Sequence, residues 1–225
     1  TTVSWSASQQ GMSIPSPSGG VRAESELPTA NLLGHLTSEF TLEFFFTSPI
    51  NLQSLNLLIA GFGDWPPGTP YGACDAGVSE TYGGWRLSSF ISTAIDFEAV
   101  LSVNGVSTCV ARSISIEANT VRHLVVRMHN GTLSIVSHGN TVSAVGSNLV
   151  FSPAYWARHF APLTIANPHM TTGWTGTMHM IAMYDRFMPD AEISNDLSYG
   201  PPNSLPTCAV TTLTALEDAT ATLYP

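Results

Sequence analysis

Alternation of apolar and polar residues with a period of two, broken by turn pairs that favour positive φ, runs the length of this sequence and restricts it to an antiparallel β fold. Three hairpin signals carry most of that restriction. Asn104-Gly105 separates Phe97, Ala99, Leu101 and Val103 from Val106, Thr108 and Val110. Asn130-Gly131 separates Leu124, Val126 and Met128 from Leu133 and Ile135, and Gly139-Asn140 precedes Val142 and Ala144. Asn and Gly tolerate the left-handed backbone that a two-residue hairpin turn demands, so three such pairs in succession predict one meander within a larger sheet. Upstream, residues 40–47 set Phe40, Leu42, Phe44 and Phe46 against Thr41, Glu43, Phe45 and Thr47, and another strand is predicted over about 55–61. Downstream strands are predicted at 163–166 and 174–185, the latter with Trp174, Gly176, Met178, Met180, Ala182 and Tyr184 on one face. Its other face begins polar, with Thr175, Thr177 and His179. One face toward water and one toward a second sheet is sandwich behaviour. The single helix predicted is short, near 189–197, where Pro189 and the acids Asp190 and Glu192 suit a helix N-terminus.

The 225 residues suffice for one large domain and the start of another. A Pro-rich stretch at 201–208 reads as a linker, and 209–225 carries a fresh strand-like pattern that reads as the first strand of a following module. Only 10% of residues are charged, so Ser and Thr must solubilise much of the surface. All seven cationic side chains are Arg. Without lysine, a P-loop, a Schiff-base enzyme and a protein kinase site all lack an essential amine. A net charge of −9 with scattered arginines argues against nucleic-acid partners. No apolar run reaches the roughly 20 residues that span a bilayer. The chain starts at Thr1 with no signal-peptide pattern, which reads as a processed product or excised segment.

The three cysteines, Cys74, Cys109 and Cys208, match no zinc spacing. A Cys74–Cys109 disulfide is expected if the chain is exported, with three reduced thiols as the alternative and Cys208 pairing elsewhere or staying reduced. Asn130-Gly131-Thr132 is an N-glycosylation sequon at a predicted hairpin tip. The turn residues alone account for the same letters.

In order along the chain, 40–46, His123 to Met128 with Asn130 to Ile135, 162–165, and Gly173-Trp174-Thr175-Gly176-Thr177 through Tyr184-Asp185-Arg186 to Ile193 resemble the successive signatures of laminin G-like domains of the concanavalin A-like lectin/glucanase superfamily. The resemblance covers residues 1–200. It implies an all-β, two-sheet antiparallel β-sandwich of jelly-roll, concanavalin A-like form. It also implies a non-catalytic recognition or structural module of an extracellular or cell-surface protein, whose partners are neighbouring modules, glycans or extracellular proteins. Two features depart from the pattern: Met128-His129-Asn130 replaces the usual aspartate-glycine turn, and the insert between Gly61 and Gly84 is long and rich in Pro and Gly. The tail at 208–224 resembles the opening of a cadherin-like or immunoglobulin-like repeat.

Family likeness also implies a calcium ion held by rim carboxylates, for which the insert supplies Asp64, Asp75 and Glu80. The same insert holds Trp65, Tyr71, Tyr82 and Trp85, aromatics that either stack on a ligand or form a satellite core pinned by Cys74. The rival reading is a glycoside hydrolase on the same fold. Its Glu-x-Asp-x-x-Glu signature is absent, and the nearest substitute is Asp96 and Glu98, otherwise a solvated strand face. Glu24 and Glu26 are weaker still. Neither a Gly-x-Ser-x-Gly elbow nor a His-Glu-x-x-His zinc motif occurs, and His123 and His129 stand too far apart on one strand to ligate together.

Overall fold

A computed structural model describes residues 4–6, 11–14, 23–24, 39–48, 57–62, 84–91, 94–103, 106–115, 119–145, 149–150, 163–165 and 174–201. Their strands are β1 (Ser4–Ser6), β2 (Gly11–Ile14), β3 (Ala23–Glu24), β4 (Phe40–Thr47), β5 (Leu57–Phe62), β6 (Trp85–Ile91) and β7 (Ala94–Val103). They continue with β8 (Val106–Ser115), β9 (Val121–His129), β10 (Thr132–Ser137), β11 (Asn140–Val145), β12 (Leu149–Val150), β13 (Thr164–Ile165) and β14 (Gly176–Tyr184). The helix α1 spans Asp190–Tyr199.

Two seven-stranded sheets result, every described pairing antiparallel. The first has the order β1-β2-β14-β4-β9-β10-β11. The second runs β12-β7-β6-β5-β13-β3, with β8 along the far edge of β7. Their inner faces meet in one core, where Phe40, Leu42, Phe44 and Phe46 of β4 and Leu124, Val126 and Met128 of β9 pack with Trp85 and Leu87 of β6 and Ile95, Phe97 and Ala99 of β7. Phe44 meets Trp85 edge-on at 5.4 Å, and Trp85 stacks on Phe97 at 6.3 Å. Among the described residues the architecture is the predicted all-β sandwich with one short helix.

The predicted single meander is divided. β7 and β8, the strands on either side of Asn104-Gly105, pair in one sheet, whereas β9, β10 and β11 form a meander in the other. Alternation specifies a hairpin but not the sheet it joins; here the chain changes sheets after Ser115, and Asn119 N–H donates to the Ser48 carbonyl at 2.7 Å on arrival. Asn130 (φ 48) and Gly131 (φ 72) form the expected left-handed turn. The next turn falls one residue early, on His138 (φ 48) and Gly139 (φ 75), because the Asn140 amide donates to the His138 carbonyl at 3.2 Å and Asn140 itself pairs with Ser137.

Alternation along β14 also fails midway. The register shifts between Met178 and Met180, leaving His179 as an extra residue. Met178 faces the core before this bulge; beyond it Ile181 and Met183 do, while Tyr184 turns to the outer face. One inserted residue reverses every later side chain. Gly176 explains the tryptophan-glycine spacing. At φ 156, a Cβ there would lie 2.4 Å from the Thr47 carbonyl oxygen and 2.5 Å from the Trp174 ring, so the indole lies directly on the glycine. That indole donates to Ser48 Oγ at 2.8 Å.

Candidate functional site

The outer face of the first sheet carries a buried polar cluster beneath α1. Glu43 on β4, His123 on β9 and Tyr184 on β14 meet there because β4 lies between the other two strands. His123 Nε2–H donates to Glu43 Oε1 at 2.7 Å, and the Tyr184 hydroxyl donates to Glu43 Oε2 at 2.8 Å. Glu43 and His123 are each 1% exposed, so these two donors stand where water would otherwise solvate the carboxylate. With the ring proton on Nε2, Nδ1 is buried with no hydrogen-bond partner among the described residues, and Phe45 stacks on the imidazole at 4.2 Å. Burial, then the charge and hydrogen bond of Glu43, push the Tyr184 phenol well above its ordinary value. Burial, and after it Glu43 and Glu192, raise the Asp196 carboxyl on α1.

Neighbouring groups on the same face fasten the helix. Met188 and Ile193 pack on Val125 and Val136 with Tyr184 beside them. Arg127 donates to the Met188 carbonyl at 2.6 Å and to Asp190 Oδ1 at 2.5 Å, and Thr41 Oγ1 donates to the Arg186 carbonyl at 2.8 Å. Arg186 closes a bidentate pair with Glu192, whose carboxyl that hydrogen bond lowers. Phe187 lies 4.6 Å from the Arg127 guanidinium. The hydrogen bonds of the polar cluster thus tie β4, β9 and β14 together beneath the helix, and of its three members Tyr184 also packs with the apolar residues that seat α1. The sequence shows an acid and a histidine within apolar strands but not that β14 brings Tyr184 beside them.

On the outer face of the second sheet, Arg86 on β6 pairs with Glu98 directly opposite on β7, and Glu98 is 1% exposed. This corrects the expectation of a solvated strand face, since a buried carboxylate requires a charged partner and Arg86 supplies it. Asp96 lies opposite Ser88, whose hydroxyl is buried without a hydrogen-bond partner among the described residues. Glu24 sits in β3 opposite Thr164.

Of the aromatic residues assigned to recognition, Trp85 is corrected. It opens β6, is 0% exposed and fills the core, so it offers no surface to a ligand. As the first residue of a strand rather than the last of a loop, its side chain follows the pleat inward. Trp65, Tyr71, Tyr82, Asp64, Asp75, Glu80, Glu26, Cys74 and Cys208 lie outside the described residues. The insert that bears most of them is rooted where Phe62 pairs with Trp85, at one end of the second sheet. Cys109 lies opposite Val100 on β8, two strand spacings or about 10 Å from that root. Asn130 is exposed at the β9–β10 turn. Among the described residues, no group of three or more His, Cys, Asp or Glu side chains is placed to hold a metal, and no helix is long and apolar enough to cross a membrane.

No family model and no curated protein matches the sequence. Solved structures do match in shape. A Ruminococcus gnavus IT-sialidase CBM40 bound to α2,3 sialyllactose aligns over 82% of this chain and 95% of that one, with TM-score 0.53 and 10% identity. A mutant of Trypanosoma rangeli sialidase displaying trans-sialidase activity aligns over 82% of this chain and 28% of that one, with TM-score 0.51 and 16% identity. The binding domain of botulinum neurotoxin DC in complex with SialylT aligns over 75% of this chain and 37% of that one, with TM-score 0.50 and 12% identity. The chain thus spans about a third of the toxin chain and over a quarter of the sialidase. At these identities the likeness is one of fold, that of concanavalin A-like sandwiches.

Proposed function

We propose that this chain is a non-catalytic glycan-recognition module of laminin G-like type, carried by a larger extracellular or cell-surface protein. One observation carries the reading: the sandwich is coextensive with 95% of a carbohydrate-binding module solved with a sialylated sugar. Fold alone does not supply function, so the assignment rests on what this fold leaves free to bind. The candidate surface is the insert rooted between β5 and β6, with Trp65, Tyr71 and Tyr82 as stacking groups and Asp64, Asp75 and Glu80 as ligands for a calcium ion. A Cys74–Cys109 bridge would tether that insert to β8, and a glycan on Asn130 would project from the β9–β10 turn at the end of the first sheet. Few charges, an abundance of Ser and Thr, and the sequon support export. Against hydrolysis stands Glu98, buried and already engaged by Arg86, away from any sugar oxygen it would have to protonate.

The test is a glycan array probed with the folded chain, with and without a calcium chelator, alongside the Trp65→Ala variant. Retention on sialylated glycans that is lost in the variant supports the module, and dependence on the chelator assigns calcium. Silence across the array from a folded chain would instead make the domain a structural bead contacting neighbouring modules. Reducing-end release that disappears in Asp96→Asn or Glu98→Gln would make it an enzyme.

A further inference from the structure

We propose that Asn130 is a self-modifying site, at which a Glu39–His129 relay promotes conversion of the side-chain amide to an acid. The geometry is a chain of three side chains at the β9–β10 turn. The Asn130 amide nitrogen Nδ2 lies 2.7 Å from His129 Nε2, and His129 Nδ1 lies 2.5 Å from Glu39 Oε1. An amide nitrogen only donates, so Nε2 accepts and the ring proton sits on Nδ1, donating to Glu39. The basic ring nitrogen is thereby aimed at the atom that must leave in amide loss. Phe187 packs against the imidazole at 4.5 Å and steadies it. The next residue is Gly131, which has no side chain to obstruct the approach of its backbone nitrogen to the Asn130 side-chain carbon Cγ. The turn is exposed, so water has access.

In the reaction, Gly131 N bonds to Asn130 Cγ as its proton passes to solvent. His129 Nε2 takes up a proton from solvent, with Glu39 holding the imidazolium, and delivers it to Nδ2. The Cγ–Nδ2 bond breaks with its electron pair on nitrogen, and ammonia departs. The resulting five-membered imide adds one water and opens at either carbonyl, giving aspartate or its β-linked isomer. One water is consumed and one ammonia released, with no redox change. The same Nδ2 is the atom that N-glycosylation of the Asn130-Gly131-Thr132 sequon would occupy, so the two fates exclude each other. Conversion erases the sequon and places a new carboxylate beside His129, across the ring from Glu39. The β-linked product adds a backbone carbon to the turn that sets the β9–β10 register.

The experiment incubates the folded, unglycosylated 225-residue chain at neutral pH and maps peptides by mass spectrometry, with an enzymatic assay for the β-linked product. Asn104-Gly105, the second Asn-Gly pair, is the internal comparator without a preceding histidine. The relay predicts that His129→Phe slows conversion at Asn130 by about tenfold or more. Glu39→Gln slows it as well, Glu39→Asp restores it, and the rate at Asn104 stays unchanged in all three. Circular dichroism confirms that each variant is folded. Equal rates at Asn130 in the native chain, His129→Phe and Glu39→Gln would overturn the proposal, as would an Asn130 that persists while Asn104 converts.

Discussion

Tyr184→Phe isolates one link of the polar cluster beneath α1, the bond from β14 to β4. The substitution keeps the ring against Val125, Val136, Met188 and Ile193 and removes only the hydroxyl that donates to Glu43 Oε2 at 2.8 Å. Glu43 is 1% exposed, so water cannot take the lost donor's place, and the carboxylate is left with His123 Nε2–H at 2.7 Å. A hydrogen bond to a charged group contributes about 1.5–3 kcal/mol, and the low end applies because Tyr184 itself is only partly buried. A loss of about 1.5–2 kcal/mol is therefore expected, a fall in Tm of about 3–8 °C for a chain of this size. Urea unfolding followed by circular dichroism measures it, and hydrogen exchange should show the β14 amides near Tyr184 opening sooner. In a Glu43→Gln background the same change should cost less, since the charge that strengthened the bond is gone. The phenol adds a pH signature. Its folded pKa is raised above the unfolded value near ~10, so its stabilisation is fully present below that pH and is lost as pH rises through the folded value. Tyr184→Phe should flatten this alkaline decline. A stability change below about 0.5 kcal/mol, with the alkaline limb intact, would refute this account of the cluster.

The Asp196 carboxyl is raised by burial and by Glu43 and Glu192, so its ionisation weakens the fold as pH rises through its folded value. Asp196→Asn should raise the thermal midpoint near pH ~7 and leave it unchanged near pH ~3, read by scanning calorimetry at both. Gly176→Ala places a methyl against the Thr47 carbonyl and the Trp174 ring and should destabilise by about 2–4 kcal/mol, visible as a lowered denaturation midpoint. Trp85→Ala should cost about 3–5 kcal/mol through a core cavity, whereas Trp65→Ala should change glycan binding and leave the midpoint unmoved.

The sequence revealed the architecture because its determinants are local. The Phe-rich alternation of 40–47 became β4 at the predicted bounds, and Asn130-Gly131 became the turn its φ preference demands. What escaped was set by contacts distant in sequence. The His179 bulge in β14 depends on pairing with β4 over 130 residues away, and it alone decides that Tyr184 faces outward. Assignment of the Asn104-Gly105 hairpin to one sheet and the next two turns to the other depends on strand order, which alternation does not encode. The Glu43–His123 pair was hidden because a polar residue in an alternating strand reads as solvent-facing until a helix is known to cover it. Trp85 was misplaced by its neighbourhood, a Gly-Gly loop end, when its own position in the pleat pointed it into the core.

Binding without turnover is most directly tested by saturation-transfer NMR on α2,3-sialyllactose mixed with the folded chain. The account predicts transfer from protein to sugar protons, with the anomeric signals of the intact sugar unchanged over days. An absence of transfer, or growth of free sialic acid and lactose signals, would contradict it.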